Sequence, residues 1–247
     1  MHRFFAPSLD PGDPTVVLPK DEAEHLTRVL RIGTGETIAV FDGRGCEFLA
    51  RVGAIRRREV TVHLLSHIDR RAESPVAITL VQGVLKGDKM DEVVRDAVML
   101  GVVAIQPLVT RRTEATVGAL LRGARVDRWR RVALASTKQC GRAVLPEIHT
   151  PLTLEHYLDE PPPALRLILV EPSASADARP LAVLRDLPVP PDVALLIGPE
   201  GGWDPTECAA AVARGVRSVT LGPRILRADA VPLAALSILQ FMWERSA

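Results

Sequence analysis

Residues 195–207 read LLIGPEGGWDPTE. The apolar run fits a strand covered on both faces. It stops at Gly198-Pro199, and Gly201 and Gly202 lead into Asp204-Pro205-Thr206-Glu207. There Asp204 caps, Pro205 opens a helix and Glu207 reaches back, a capping box with proline at the first helical position. Strand, glycine loop and helix in that order predict a parallel sheet whose loop stands at the carboxyl end of a strand, where such sheets bind ligands. Glycine lets backbone approach a ligand closely, so Gly198, Gly201 and Gly202 fit a contact loop; a tight strand-to-helix turn also uses glycine.

Residues 221–232, LGPRILRADAVP, follow the next apolar run and start with the same Gly-Pro pair. Two successive strands therefore end in stiffened loops able to wall one pocket. Neither loop is a phosphate cradle of the GxxxxGK[ST] kind, and neither carries the GxGxxG dinucleotide fingerprint, which argues against a nicotinamide oxidoreductase. With Glu200 in the first loop, the pocket suits a ligand that bears positive charge and an aromatic base. S-adenosylmethionine is one such ligand.

Upstream and downstream the pattern repeats. VAITLVQGVL (76–85), VVAIQPL (102–108), LRLILVE (165–171), VALLIG (193–198) and VRSVTLG (216–222) read as strands. Between them KGDKMDEVVRDAVMLG (86–101) predicts a helix with Asp88 as N-cap and Gly101 past its end, and VDRWRRVALASTKQCG (126–141) predicts another. Alternating strands and helices predict an α/β domain with a parallel sheet. The closing helix, PLAALSILQFMWER (232–245), is apolar nearly all round, which points to burial against a second subunit.

The first seventy or so residues have a shorter period. TIAVFDGRGCEFLARV (37–52) holds a hairpin signal at Asp42-Gly43 and Gly45, and EVTVHLL (59–65) puts Val60, Val62 and Leu64 on one face. In DEAEHLTRVLRIG (21–33) Asp21 is the expected cap with Glu24 reaching back; Ala23, Leu26, Val29 and Leu30 form one stripe before Gly33 ends the helix. These elements predict a small β-barrel, with DRRAESP (69–75) as the linker. The expected domains are 1–72 and 73–247.

An apolar fraction of 47% with 25% charged residues is that of an ordinary globular protein. No apolar stretch approaches the roughly 20 residues of a membrane span, and MHRFFAPSLDPGD lacks the core of a signal peptide. Cys46, Cys140 and Cys208 lie far apart without metal-ligand spacing, so free thiols, no metal and a cytoplasmic location are expected. The net charge is only +1, but from Arg111 to Arg142 nine cations face two acids, Glu114 and Asp127. Arg56 to Arg58 with Arg70 and Arg71 make a second basic cluster. Such patches attract phosphate backbones or form solvated faces.

LIGPEGG and LGPRILR resemble the signature loops of the RsmE methyltransferases of the SPOUT superfamily. The resemblance extends to HLTRVLR (25–31), to KGDKMDEVVRDAVMLGV (86–102) and to QCGRAVLPEI (139–148). It implies a PUA-like barrel followed by a catalytic domain with a deep trefoil knot. It also implies a homodimer and methyl transfer from S-adenosylmethionine to uracil N3 of one uridine in 16S ribosomal RNA of the small subunit. The cofactor would lie among Leu196, Gly198, Glu200, Gly201 and Gly202 of one loop and Leu221, Gly222, Ile225 and Leu226 of the other.

Uracil N3 is protonated at neutral pH, so a cation near O2 or O4 would stabilise the developing uridinate. Arg227 is the first candidate, the alternative being a salt bridge that holds the loop shut. Arg142 is the second, with phosphate contact its alternative. Glu200 and Asp229 are the available carboxylates for a general base, and either needs a raised pKa for it. RNA contacts are expected from His25, Arg28, Arg31, Lys86, Lys89, Arg111, Arg112, Gln139 and Arg142, with Trp129 more a packing residue than a stacking platform. The family's continuation after LGPRILR resembles Thr-Glu-Thr, whereas this chain has Ala228, Asp229 and Ala230. That departure keeps open an RNA-binding ribosome-assembly factor without activity; a related methyltransferase acting on another RNA site is a further alternative.

Overall fold

Alternating apolar residues need a core to face, and the chain builds one in each of two compact units. The computed structural model describes residues 1–56, 59–69, 73–174 and 177–243. Arg57 and Arg58, and Arg70 to Ala72 of the expected linker, lie outside the described residues, as do Glu244 and Arg245 of the closing helix. One unit comprises Met1–Glu73 with Leu134–Leu145, the other Ser74–Ala133 with Pro146–Ala247.

The first unit contains β1 (Arg3–Phe5), β2 (Thr15–Val17), α1 (Lys20–Glu24), β3 (Thr37–Phe41), β4 (Glu47–Arg56) and β5 (Glu59–His67). The strands order β1-β3-β4-β5-β2, with β1 parallel to β3 and the other pairs antiparallel. At the β3–β4 turn the Asp42 carboxylate accepts from the Arg44 and Cys46 N–H groups. Register shifts at Leu49/Ala50 and Val52/Ile55 bend the long β4–β5 hairpin. Phe4, Leu26, Ile38, Val40 and Val62 are wholly buried inside the curve.

The helix here differs from its expected form. Pro19 stands at the N-cap without a side-chain bond, and Asp21 lies within the first turn. Residues His25–Val29 then widen into a π turn, closed by the Leu30 N–H donating to the His25 carbonyl at 3.0 Å. The extra residue in the turn rotates the apolar stripe. Ala23 and Leu26 remain buried, whereas Val29 is 65% exposed. Arg31, not Gly33, takes the left-handed conformation that turns the chain out.

In the second unit β6 (Ala77–Gly83) leads to α2 (Lys89–Met99) and β7 (Ala104–Val109), followed by α3 (Val117–Arg122) and α4 (Arg125–Cys140), whose residues from Leu134 onward belong to the first unit. Short strands β8 (Glu147–Ile148) and β9 (Leu152–Thr153) precede α5 (Leu154–Asp159) and β10 (Leu165–Leu169). After β11 (Arg179–Pro180) come β12 (Asp192–Ile197), α6 (Pro205–Ala213), β13 (Arg217–Thr220) and α7 (Ala230–Trp243). All ladders are parallel in the order β11-β13-β10-β12-β6-β7-β8, with β9 also on β7. Val193 to Ile197 are buried without interruption, as a strand covered on both faces must be.

Local signals behave as expected at α6, where both halves of the capping box form. At α2 both ends fall where expected, with Asp88 at the N-cap and Gly101 in the left-handed region, but the cap is made without its side chain. The Asp88 carboxylate makes no cap bond. It pairs instead with Arg128, which also reaches Asp91.

The connection after β13 decides the topology. β13 lies beyond β10 from β12, yet α7 returns to the centre: Gln240 donates to the Leu100 carbonyl at 2.7 Å and accepts from Ser74 Oγ at 2.8 Å. The segment between them therefore crosses the carboxyl ends of β10 and β12. Most α/β sheets avoid such a crossing of connections, and a trefoil knot is built on one.

The basic stretch 111–142 is largely occupied within the protein. Arg125 donates to the Leu85 carbonyl and lies over Trp129, which is buried. Arg130 pairs with Asp127, Lys138 with Glu22 and Arg142 with Glu73. The end of α4 is clamped by Arg3, whose guanidinium donates to the Thr137, Lys138 and Arg142 carbonyls and to both oxygens of the buried Glu47. A guanidinium has five donors in a fixed fork, so one arginine can hold a helix end and a carboxylate together.

Candidate functional site: two glycine loops around one cavity

The carboxyl ends of β10, β12 and β13 open into a cavity of about 630 Å³, a volume within the range of small-molecule sites. Residues 169–174, 197–205 and 221–231 supply most of its wall. Leu169, Val170, Ile197, Trp203, Leu221 and Leu226 make that wall mainly apolar. Backbone crowding explains the glycines. A Cβ on Gly83, at the end of β6, would stand 2.7 Å from the Pro199 nitrogen. Gly202 has φ +68°, a conformation other residues rarely take, and its missing Cβ leaves 3.3 Å to Glu171 Oε1.

Side chains then fix the first loop from three sides. The Trp203 indole N–H donates to the Leu169 carbonyl at 2.9 Å. Arg112 donates to the Gly201 carbonyl at 2.7 Å. Glu200 Oε1 accepts from the Lys86 backbone N–H at 3.1 Å and from Lys89 Nζ at 3.2 Å. Burial pushes the Glu200 carboxyl up, but the Lys86 N–H, its own backbone N–H and the Lys89 ammonium together hold it below its ordinary value. A carboxylate so engaged is a weaker proton acceptor than a free one.

On the second loop Arg227 Nε donates to Asp229 Oδ1 at 3.3 Å. The arginine side chain is 75% exposed and the aspartate 22%. The guanidinium makes no other bond among the described residues, so its remaining donors are available to a substrate.

The residues expected at the site divide clearly. Gly198, Glu200, Gly202 and Leu221 line the cavity, and so do Ile225, Leu226, Arg227 and Asp229. Leu196 is buried one residue short of the lining, inside β12. Gly201 and Gly222 adjoin lining residues without belonging to the wall. Lys89 and Arg112, expected at RNA, line the cavity as well. Lys86 pairs with Glu114, and the Arg111 N–H donates to Glu207. His25, Arg28, Arg31 and Gln139 are exposed on the first unit. Arg142 belongs to that unit too, with its side chain 10% exposed against Glu73.

Sequence reasoning missed Glu171 and Trp203. Glu171 had a signal, since it ends the apolar run LRLILVE just past the carboxyl end of a parallel strand. Among the described residues no group of acids, histidines and cysteines could hold a metal ion.

A PUA-type unit and a parallel-sheet unit with paired glycine loops define an RNA methyltransferase. Residues 18–65 match a family model for the RNA methyltransferase PUA domain, and residues 72–240 match one for the RNA methyltransferase domain. The chain belongs to the ribosomal RNA small subunit methyltransferase E family. It is 33% identical to the family member of Synechocystis sp. over 93% of this chain and 74% of that protein. The corresponding enzyme of Neisseria gonorrhoeae, solved with S-adenosyl methionine bound, superposes with a TM-score of 0.86 at 33% identity, covering 98% of both chains. A protein of Legionella pneumophila, solved in complex with the cofactor SAM, gives 0.87 at 33% identity, over 97% of this chain and 96% of that one.

Proposed function

We propose that the chain transfers a methyl group from S-adenosylmethionine to uracil N3 of one uridine in 16S ribosomal RNA, as a cytoplasmic homodimer. The observation that carries this is the single cavity walled by both glycine loops, with Arg227 exposed in its rim. The cavity fits the cofactor. Its volume, its apolar wall and the glycines that leave no room for side chains accommodate an adenine with its ribose, and its acids tolerate a cation. Gly198, Gly202, Leu221, Ile225 and Leu226 would hold it. When bound, it supplies an electrophilic methyl group.

This chain's own residues must position the base and handle its proton. Arg227 places a guanidinium where uracil O2 or O4 gains negative charge as N3 loses its proton. Asp229 orients that guanidinium. Glu200, engaged by Lys86 and Lys89, fixes the loop rather than accepting the proton. The shorter Asp229 still reaches Arg227, so Ala228 and Ala230 remove hydroxyls without dismantling the pair. Arg142, held against Glu73, positions the QCGR segment.

Residues 1–72, joined by Leu134–Leu145, act as the PUA-like RNA-binding domain, and the remainder of 73–247 acts as the methyltransferase domain. Exposed His25, Arg28, Arg31 and Gln139 offer contacts to RNA. The cytoplasmic placement accords with free thiols at all three cysteines, and no helix among the described residues is long and apolar enough to cross a membrane.

Purified protein, labelled S-adenosylmethionine and small subunits lacking the modification test the proposal, with mass spectrometry to map the product. Label at uridine N3 of 16S RNA is expected. Binding without transfer would make the chain an assembly factor, and label elsewhere would reassign its substrate.

A further inference from the structure

Three carboxylates line the cavity, those of Glu171, Glu200 and Asp229. Two of them already meet a cation: Glu200 has Lys89 at 3.2 Å, and Asp229 has Arg227 at 3.3 Å. Glu171 differs. Among the described residues its carboxylate has neither a salt-bridge partner nor a hydrogen bond. Its backbone is nevertheless fixed. The Val170 N–H donates to the Val219 carbonyl at 3.0 Å, and the Ala174 N–H donates to the Glu171 carbonyl at 2.9 Å. One carboxylate oxygen lies 3.3 Å from the position a Cβ of residue 202 would take, so glycine there leaves the acid room over the first loop.

An unmatched carboxylate beside an apolar wall is a site for positive charge, because the wall lowers the local dielectric and strengthens the attraction. We propose that Glu171 is a cofactor-binding residue that meets a positive charge of S-adenosylmethionine. This rests on the cavity being the cofactor site, as proposed above. The donor carries two cationic groups, a sulfonium and an ammonium, and Glu171 serves either through the same electrostatics. The competing chemistry is a hydrogen bond to ribose hydroxyls, which acids beyond parallel strands also make and which needs no charge on the ligand.

Calorimetry on Glu171→Gln with three ligands separates them. S-adenosylmethionine has both charges, S-adenosylhomocysteine has the ammonium alone, and 5′-methylthioadenosine has neither while keeping the ribose. Expected is a loss of about tenfold in affinity for S-adenosylmethionine, typical of one charge-assisted contact. The loss should shrink as salt is added, with 5′-methylthioadenosine unaffected. A parallel loss for S-adenosylhomocysteine assigns the contact to the ammonium, and its absence assigns it to the sulfonium. Equal loss for all three ligands overturns the proposal in favour of ribose, and no loss for any overturns it outright. If the unsubstituted chain takes up none of them, the cofactor site itself falls; uptake unchanged by the substitution removes only Glu171. The side chain is exposed and bonds to nothing among the described residues, so an unaltered melting temperature is expected alongside.

Discussion

Arg227 carries the proposed chemistry on one guanidinium, tied among the described residues by a single bond to Asp229 and 75% exposed. Arg227→Ala should keep the affinity for S-adenosylmethionine within about twofold and cut kcat about 10²- to 10³-fold, the usual loss when one oxyanion donor is removed. Calorimetry and single-turnover assays check the two halves. Unchanged turnover would leave the arginine a loop fastener. Glu200 makes a prediction in pH. Its folded carboxyl is held below the ordinary value, so its stabilising effect is complete above the unfolded pKa of about 4.3 and disappears as pH falls through the folded one. Melting temperatures of the unsubstituted chain and Glu200→Gln should therefore differ steadily from pH 8 to about 5 and converge below the ordinary carboxyl range. A gap that persists in acid would show that the charge of Glu200 does not hold the loop.

At the scale of elements, what was legible in the sequence was what is decided within a few residues. The capping box of α6 spans Asp204 to Glu207, and each partner is present in the quoted stretch. The strand β12 announces itself by an unbroken apolar run. The π turn after α1 does not, because an ordinary helix and a helix with one extra residue share the same letters; the bond from the Leu30 N–H to the His25 carbonyl and the exposure of Val29 tell them apart. Strands of three residues such as β1 and β2 carry too little periodicity to read. The Arg3 clamp joins residues 134 positions apart, so no local pattern encodes it. Gly83 shows how a distant approach can still be tested. A Cβ there meets backbone, the Pro199 nitrogen at 2.7 Å, which has no flexible end to give. Gly83→Ala should cost about 1–3 kcal/mol through overpacking and weaken cofactor binding by displacing the first loop. Gly215→Ala is the control: φ is +79° but nothing lies within 4 Å, so about 1 kcal/mol of backbone strain is expected with cofactor binding intact. Equal effects of the two on binding would show that the loop does not depend on the glycine of β6.

For the whole molecule, the remaining question is what covers α7. Its inner side is used up: Ala235, Leu236, Leu239 and Trp243 are buried, and Gln240 is bonded to Leu100 and Ser74. Yet its other side is not polar. Leu233 is 45% exposed, Ile238 41% and Phe241 79%, and Ile225 on the preceding loop is 68% exposed. A surface helix of a single chain normally turns charge to water, and no charged residue occurs between Ala230 and Trp243. A symmetric partner presenting the same face would cover both copies at once, the simplest closed assembly. Light scattering should then give twice the 26.8 kDa of one chain. Phe241→Glu places a charge in the middle of that face, and burying it unpaired in both copies is costly. The substituted chain should therefore run as a monomer with unchanged circular dichroism. A wild-type mass of 26.8 kDa, or a dimer that survives the glutamate, would mean that α7 is not the surface through which copies meet.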